Sequence, residues 1–315
     1  MDRTEPAGKG DRSRPAPLKP WQVAALIATL SLVWGYNWVM MKVATHDAPP
    51  FAFAALRFLG GAIVLMATFK LMGRNLHWRL MAARWKTVAL VGLFQTACCF
   101  GLITWAISTG TAGRAAILNY TMVFWVLVFS AAFLHERVPA VQWAAAGLAL
   151  IGIGCIVFQG GGSGDLFNIA LGLAAGLTWG IGVIVTKRAM KFGAIDSMAL
   201  TAWQMLVGAI ILCLVALLVP EPPIDWTPAF IAAILYNIGP ATPLAYVIWF
   251  TLISRLSAGL ASLSIMLTPL LGIVLSGLQL GERPGLVEGV GMGLILLAIA
   301  GLGIVGNRRN GTRRA

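Results

Sequence analysis

Trp34, Asn37, Trp38 and Met41 recur at three- and four-residue spacings inside an apolar stretch, which puts two indoles, an amide and a thioether on one helical face. An amide there is costly to leave against lipid, so this face is expected to border a polar space. Other polar or amphipathic side chains stand inside further apolar stretches: Gln95, Asn119, Tyr120, Trp179, Asn237, Tyr246 and Ser264. Amide and hydroxyl groups hydrogen-bond an oxyanion, while Trp and Tyr faces hold a cation or an apolar chain. This is the chemistry of reversible capture. Each residue taken alone reads equally as a helix-packing group, whereas Trp34, Asn37 and Trp38 together favour a cavity wall.

For bond-making chemistry the chain offers little. Asp2, Glu5, Asp11, Asp47, Glu136, Asp165, Asp196, Glu221, Asp225, Glu282 and Glu288 all fall in tails, connections or the first turns of apolar stretches, and His46, His77 and His135 fall in connections. Ion-coupled carriers usually place a carboxylate or imidazole deep in the bilayer, and this sequence shows none there. No G-x-x-x-x-G-K-[ST] loop occurs, and Gly160–Gly164 has no lysine following it to reach a phosphate. Cys98, Cys99, Cys155 and Cys213 lie in apolar stretches without C-x-x-C spacing and read as small packing residues. Neither cofactor nor metal is expected. An intramembrane enzyme would need a dyad or metal cluster at depth, and the pattern supplies no such group.

The elements that position these residues follow from composition. Hydrophobic residues make up 59% and charged residues 11% of 315 positions, too few charges for the surface of a soluble protein of this size. Reading from break to break gives ten span-length segments, at about 21–44, 50–72, 86–107, 112–134, 139–158, 165–187, 194–219, 226–252, 256–279 and 284–306. Pro49-Pro50, Pro139, Pro220 to Pro223 and Pro284 mark their boundaries, and the short connections leave no room for a soluble domain. The polar, proline-containing first 20 residues followed by a span-length run argue against a cleaved signal peptide.

The net charge of +12 is topological, with no nucleic-acid partner implied, because the basic residues cluster at the termini and between alternate spans. Nineteen of the 23 Lys and Arg fall on the side of the termini. Lys42, Arg114 and Arg283 fall on the other, and Arg57 stays inside the second span. Both termini are therefore expected in the cytoplasm.

An offset of about 145 residues maps one half onto the other. Leu32-Val33-Trp34-Gly35 with Lys42 returns as Leu177-Thr178-Trp179-Gly180 with Lys187, and Leu134-His135-Glu136-Arg137 returns as Leu280-Gly281-Glu282-Arg283. With five spans per half, the second half enters the bilayer from the opposite side. The expectation is an all-α integral membrane protein of ten transmembrane helices in two inverted five-helix repeats: a tail over 1–20, repeats over 21–160 and 165–306, and a basic tail over 307–315.

Several residues carry competing readings. Lys42 and Lys187 are dipole-complementing headgroup anchors or, on opposite faces, gates that pair with a carboxylate when their side closes. Arg57 is an interfacial anchor or a carboxylate contact; its counterpart in the second half is Gln204. Pro240 and Pro243 should bend the eighth span, whose counterpart, the third, has no proline. Gly172, Gly176 and Gly180 in the sixth span, and Gly285, Gly289 and Gly293 in the tenth, form small-residue stripes that pack within a monomer or seam a homodimer.

The duplicated Trp-Gly…Lys pattern, Ala55-Leu56-Arg57-Phe58, Thr111-Ala112-Gly113-Arg114-Ala115-Ala116, Leu256-Ser257-Ala258-Gly259-Leu260-Ala261 and the paired Glu-Arg steps resemble EamA-type members of the drug/metabolite transporter superfamily. YddG-type amino-acid exporters are the subgroup most resembled. The resemblance covers nearly the whole chain. It implies a bacterial inner-membrane carrier in the lipid bilayer that exports amino acids and related small metabolites by alternating access through a central cavity. Without visible ATP machinery or a buried proton site, facilitated diffusion is the expected mode. A multidrug or other small-metabolite exporter is the alternative, and for cationic drugs an acid inside the cavity would be expected.

Overall fold

The computed structural model describes residues 19–135, 138–159, 163–191, 196–255 and 258–312; among these, the side chains of 158, 163, 191, 253–255, 258–266 and 302–312 lie outside the description. Every regular element among the described residues is helical. The first repeat comprises α1 (Pro20–Asp47), α2 (Pro50–Leu71), α3 (Trp78–Ala83), α4 (Trp85–Val91), a π-helical segment Gly92–Cys98, α5 (Cys99–Thr109), α6 (Ala112–Tyr120), α7 (Met122–Leu134) and α8 (Ala140–Gln159). The second comprises α9 (Ser163–Lys191), α10 (Ser197–Leu218), α11 (Pro228–Ile238), a π-helical segment Pro240–Leu244, α12 (Ala245–Arg255), α13 (Ala258–Leu280) and α14 (Leu286–Thr312). Eight segments are long and apolar enough to span a bilayer, and two shorter apolar helices, Leu267–Leu280 and Leu286–Gly301, complete the set of ten.

Helix starts follow local chemistry. Pro20, Pro50 and Pro228 occupy first-turn positions, where a missing N–H costs nothing. Thr111, Thr227 and Asp196 accept from Arg114, Phe230 and Met198 backbone amides as N-caps. The short helix α3 falls in the basic connection between the second and third spans, below the length at which periodicity reveals a helix. There Arg79 lies over Trp78 and Lys86 over Trp85, with both rings largely exposed, an arrangement suited to the headgroup layer.

The two repeats interlock. The first span of each repeat packs along the fourth of the other: α1 against α13, and α9 against α6 and α7. The second spans pair with each other, α2 on α10, as do the fifths, α8 on α14. The Trp-Gly motifs explain the close crossings. A Cβ on Gly35 would lie 2.6 Å from Leu271 Cβ, and one on Gly180 would lie 2.9 Å from Trp125 Cβ, so each glycine admits the fourth span of the opposite repeat. Gly172 and Gly176 face Leu118, Asn119 and Thr121 in the same way, which makes the sixth-span stripe a seam inside the monomer. The tenth-span stripe behaves differently. Gly289 and Gly293 have nothing within 4 Å of such a Cβ, and α14 instead meets α8 where Gly291 approaches the Gly152 carbonyl.

Deformation is not confined to the eighth span, the helix with prolines. The third span widens into π-turns over Gly92–Cys98, at the position matching Pro240–Leu244, although it lacks proline. The expected asymmetry is thus replaced by a paired defect, reached in one repeat by Pro243 and in the other by glycine and small residues allowing the same helix crossing. Gly92 sits against the Gln204 carbonyl, and Gly208 against Thr96. The fourth and ninth spans are also matched. The former breaks at Thr121 between α6 and α7, and the latter carries Pro269, a proline that span-length reading passes over.

Gly35→Ala and Gly180→Ala should each force apart a repeat crossing, at roughly 1–3 kcal/mol of overpacking. The thermal unfolding midpoint in detergent is expected to fall for both, while Gly289→Ala and Gly293→Ala leave it unchanged; equal effects across the four variants would contradict the crossing assignment.

Candidate functional site

A cavity of about 210 Å³ lies where the two repeats meet. The first span supplies Trp34, Asn37, Trp38 and Met41, the four residues that helical spacing places on one face. Arg57 and Phe58 come from α2, Phe100 from α5, Asn119, Tyr120 and Met122 from the break in the fourth span, and Trp179 from α9. Met205, Ala241, Thr242, Tyr246, Trp249 and Thr268 close it from the second repeat.

Its aromatic lining is held by edge and tilted ring contacts. Trp34 stands 5.9 Å from Tyr246 at 76°, Phe100 stands 6.0 Å from Trp179 at 75°, and Trp38 lies 6.4 Å from Tyr120. The π-turn of the eighth span is part of this wall. There the Ala245 amide reaches back to the Pro240 carbonyl, one residue further than an α-helix would, so the Ala241 carbonyl loses its helical donor. Trp34 Nε1 donates to that carbonyl at 3.2 Å, and Thr242 Oγ1 donates to the Asn237 carbonyl at 2.8 Å. A broken turn in lipid is tolerable on these terms.

Two polar groups in the wall, Asn37 Oδ1 and Arg57 Nη1, have no partner among the described residues. Asn37 donates through Nδ2 to Met41 Sδ at 3.4 Å, and its Oδ1 is buried without a partner. Arg57, only 5% exposed, turns inward instead of reaching toward the interface. Its Cζ lies 4.7 Å from the Phe58 ring centroid, 5.1 Å from Phe100 and 5.9 Å from Phe53, and its Nη1 has no hydrogen-bond partner. Gln204, at the corresponding place in the second repeat, is buried and accepts from Thr96 Oγ1 at 2.7 Å. The repeat symmetry is therefore broken in charge at this position.

On the face opposite the termini, a polar seal of hydrogen bonds and ion pairs ties helix ends together, beginning one residue beyond Met41. Lys42 Nζ donates to the Ile107 and Gly110 carbonyls at 2.8 and 2.7 Å, so its partner is the carbonyl end of α5 and not a carboxylate. The Glu282 carboxylate accepts from the Ala112 and Gly113 amides at 2.8 and 3.0 Å. Glu221 does the same for Phe51 and Ala52, at 3.0 and 2.9 Å. Arg114 pairs with Asp165 at 2.7 Å and with the buried Glu288. Both glutamate caps reach from the second repeat to helix starts of the first. Toward the other face, Lys187 Nζ lies 3.3 Å from Ser130 Oγ.

Of the residues singled out in the sequence, Trp34, Asn37, Trp38, Asn119, Tyr120, Trp179 and Tyr246 line one cavity. Gln95 does not; it packs against Gly182, between the third and sixth spans. Asn237 also lies outside it, donating from Nδ2 to the Ala233 carbonyl of its own helix. Pro240 and Pro243 shape the π-turn behind Trp34. The side chain of Ser264 and the whole of Glu136 fall outside the described residues. Phe58, Met205, Thr242, Trp249 and Thr268 are additional lining residues; only the polarity of the two threonines could have flagged any of them.

The repeat organisation has a family match. The model of the EamA-like transporter family matches residues 21–158 and again 166–304. This chain belongs to that family. An uncharacterized transporter of Bacillus subtilis, YoaV, is 29% identical over 261 residues, covering 82% of this chain and 88% of that one. Proteins named as probable amino-acid metabolite efflux pumps are similar too: the one from Salmonella typhimurium is 28% identical, covering 86% of this chain and 90% of its own. The Escherichia coli one is 26% identical, covering 88% and 92%. A solved crystal structure shares the fold at a TM-score of 0.62 and 19% identity, over 91% of this chain and 97% of that chain. This EamA-like transporter is a multi-pass membrane protein whose helices enclose a cavity between its repeats.

If Asn37 Oδ1 is kept for a ligand, Asn37→Ala removes an unpaired buried acceptor and should leave the transporter as stable in detergent as the wild type. A ligand hydrogen bond worth about 1.5–3 kcal/mol would be lost, so apparent affinity should fall roughly ten- to a hundred-fold. Lower thermal stability with unchanged flux per folded molecule would return Asn37 to a packing role.

Proposed function

We propose that this EamA-like transporter exports amino acids and related small metabolites across the bacterial inner membrane. The observation that carries the reading is the cavity itself, in which four indoles, two tyrosines and two amides converge from both repeats. Trp34, Asn37, Trp38, Asn119, Tyr120, Trp179 and Tyr246 form the binding wall, with aromatic faces for an apolar side chain and amides for the polar end. The names of the two efflux-pump relatives support the same substrate class. The excess of Lys and Arg on the terminal side supports cytoplasmic termini, and the polar seal then lies on the outer face.

Alternating access follows from the architecture as a proposal. Two inverted repeats that interlock through the first and fourth spans can rock about the cavity, exchanging which side is closed. Lys42 and its carbonyl partners belong to the outer closure, and Lys187 with Ser130 belongs to the inner one. No acidic side chain lines the cavity among the described residues. Downhill, uncoupled transport is the simplest mode for such a site, and a cationic drug would find no counter-charge there.

Purified protein in liposomes should move radiolabelled amino acids down their own gradient, saturably, with no imposed pH or sodium gradient. Failure to carry any amino acid while another solute class is carried would overturn the substrate reading. Accumulation above equilibrium that requires a proton gradient would overturn the uncoupled mechanism and direct attention to Glu136 and Glu282.

A further inference from the structure

The cavity contains one cation and, among the described residues, no anion. Arg57 is buried, lines the cavity, and makes neither an ion pair nor a hydrogen bond with any described residue. Three phenylalanine rings surround it, with Phe58 and Phe100 the nearest. Aromatic contacts of this kind hold a guanidinium without using its N–H groups, which lie in its plane and remain available as donors. A cation so packed and so unpaired is a site short of one anion. The second repeat does not duplicate it, because Gln204 is neutral and already bonded to Thr96. A single anionic group is therefore what the charge of the cavity calls for.

We propose that Arg57 is the carboxylate receptor of this cavity and that the carried solutes are organic carboxylates with an apolar body. This rests on the reading of the cavity as the transport site and narrows it. A guanidinium edge binds a carboxylate through two parallel hydrogen bonds, a geometry that an ester, an amide or an amine cannot reproduce. On the same wall, the unpaired Asn37 Oδ1 accepts an N–H, which fits the amino group of an α-amino acid, while Trp34, Trp38, Trp179 and Trp249 take the side chain. The two ends of the solute are unequal. A carboxylate meets a full charge, whereas an ammonium meets one neutral acceptor and aromatic faces. Loss of the carboxylate should abolish recognition, and loss of the amino group should only weaken it.

The test uses the wild-type protein and four compounds sharing one aromatic body: L-phenylalanine, 3-phenylpropanoate, 2-phenylethylamine and L-phenylalanine methyl ester. Binding is read as thermal stabilisation of the purified transporter, independent of flux. Phenylalanine and 3-phenylpropanoate should both stabilise it, and the amine and ester should bind at least ten-fold more weakly. Arg57→Lys should bind both carboxylates about ten-fold more weakly, since it keeps the charge and loses the paired geometry. Arg57→Met should lose the preference for carboxylate over amine. If a variant fails to fold, the four-compound series on the wild type decides alone. Amine and ester binding as well as phenylalanine would overturn the assignment and leave amino-acid export standing. Binding of 3-phenylpropanoate without transport of any amino acid would keep the carboxylate site and remove the amino-acid reading. Binding of neither carboxylate would overturn the proposal.

Discussion

Hydrocarbon offers no partner to a backbone amide or carbonyl, so widened turns inside this bundle have to be satisfied by protein, and several helix ends are satisfied by protein as well. Much of that satisfaction comes from the opposite repeat. Glu221 and Glu282, from the second repeat, cap α2 and α6 of the first, and the Trp34 indole of the first repeat takes the Ala241 carbonyl freed by the π-turn of the second. Tyr236 returns the exchange by donating to the Val33 carbonyl at 2.8 Å. Each five-helix unit leaves polar groups that the other satisfies. The transporter exists as an interlocked pair, and the space left between the units becomes the cavity.

This constraint also decides where deformation is allowed. The third and eighth spans widen at matching positions, and the fourth and ninth break or carry a proline at matching positions. All four sites abut the cavity or the spans that flank it. An irregular backbone is costly against lipid but tolerable where side chains of the other repeat or a polar space can reach it. The same irregularities give α1 and α9 the room to cross their partners through Gly35 and Gly180.

Repeat, span count and the Trp34 face were legible because each leaves a periodic mark: an offset, a run of apolar length, a three-and-four spacing. The interior of the site was legible only in part. A polar residue in mid-span announces that it needs a partner, without saying which. Asn37 and Asn237 look alike in the sequence; one faces the cavity, and the other folds back on the Ala233 carbonyl. Helix rotation decides between them, and for α1 rotation is constrained by contacts such as Gly35 on Leu271 that join residues far apart in the chain. Arg57 turned inward because the Phe53, Phe58 and Phe100 rings gather around it, a cluster spread over two helices. The glutamate caps were hidden for the same reason: Glu282 and the Ala112 amide are 170 residues apart.

On the proposed alternating-access reading, transport through this cavity requires the polar seal to open once per cycle. Thr111 and Arg283 line one crevice of about 120 Å³ beside the Glu282 cap, so cysteines at both positions can be joined by a short bifunctional thiol reagent. In a background with Cys98, Cys99, Cys155 and Cys213 replaced by alanine, bridging Thr111→Cys to Arg283→Cys should stop flux, while each single variant treated with the reagent still transports. Undiminished flux after complete cross-linking would contradict the account, because solute would then be leaving the cavity without opening the face that the seal closes.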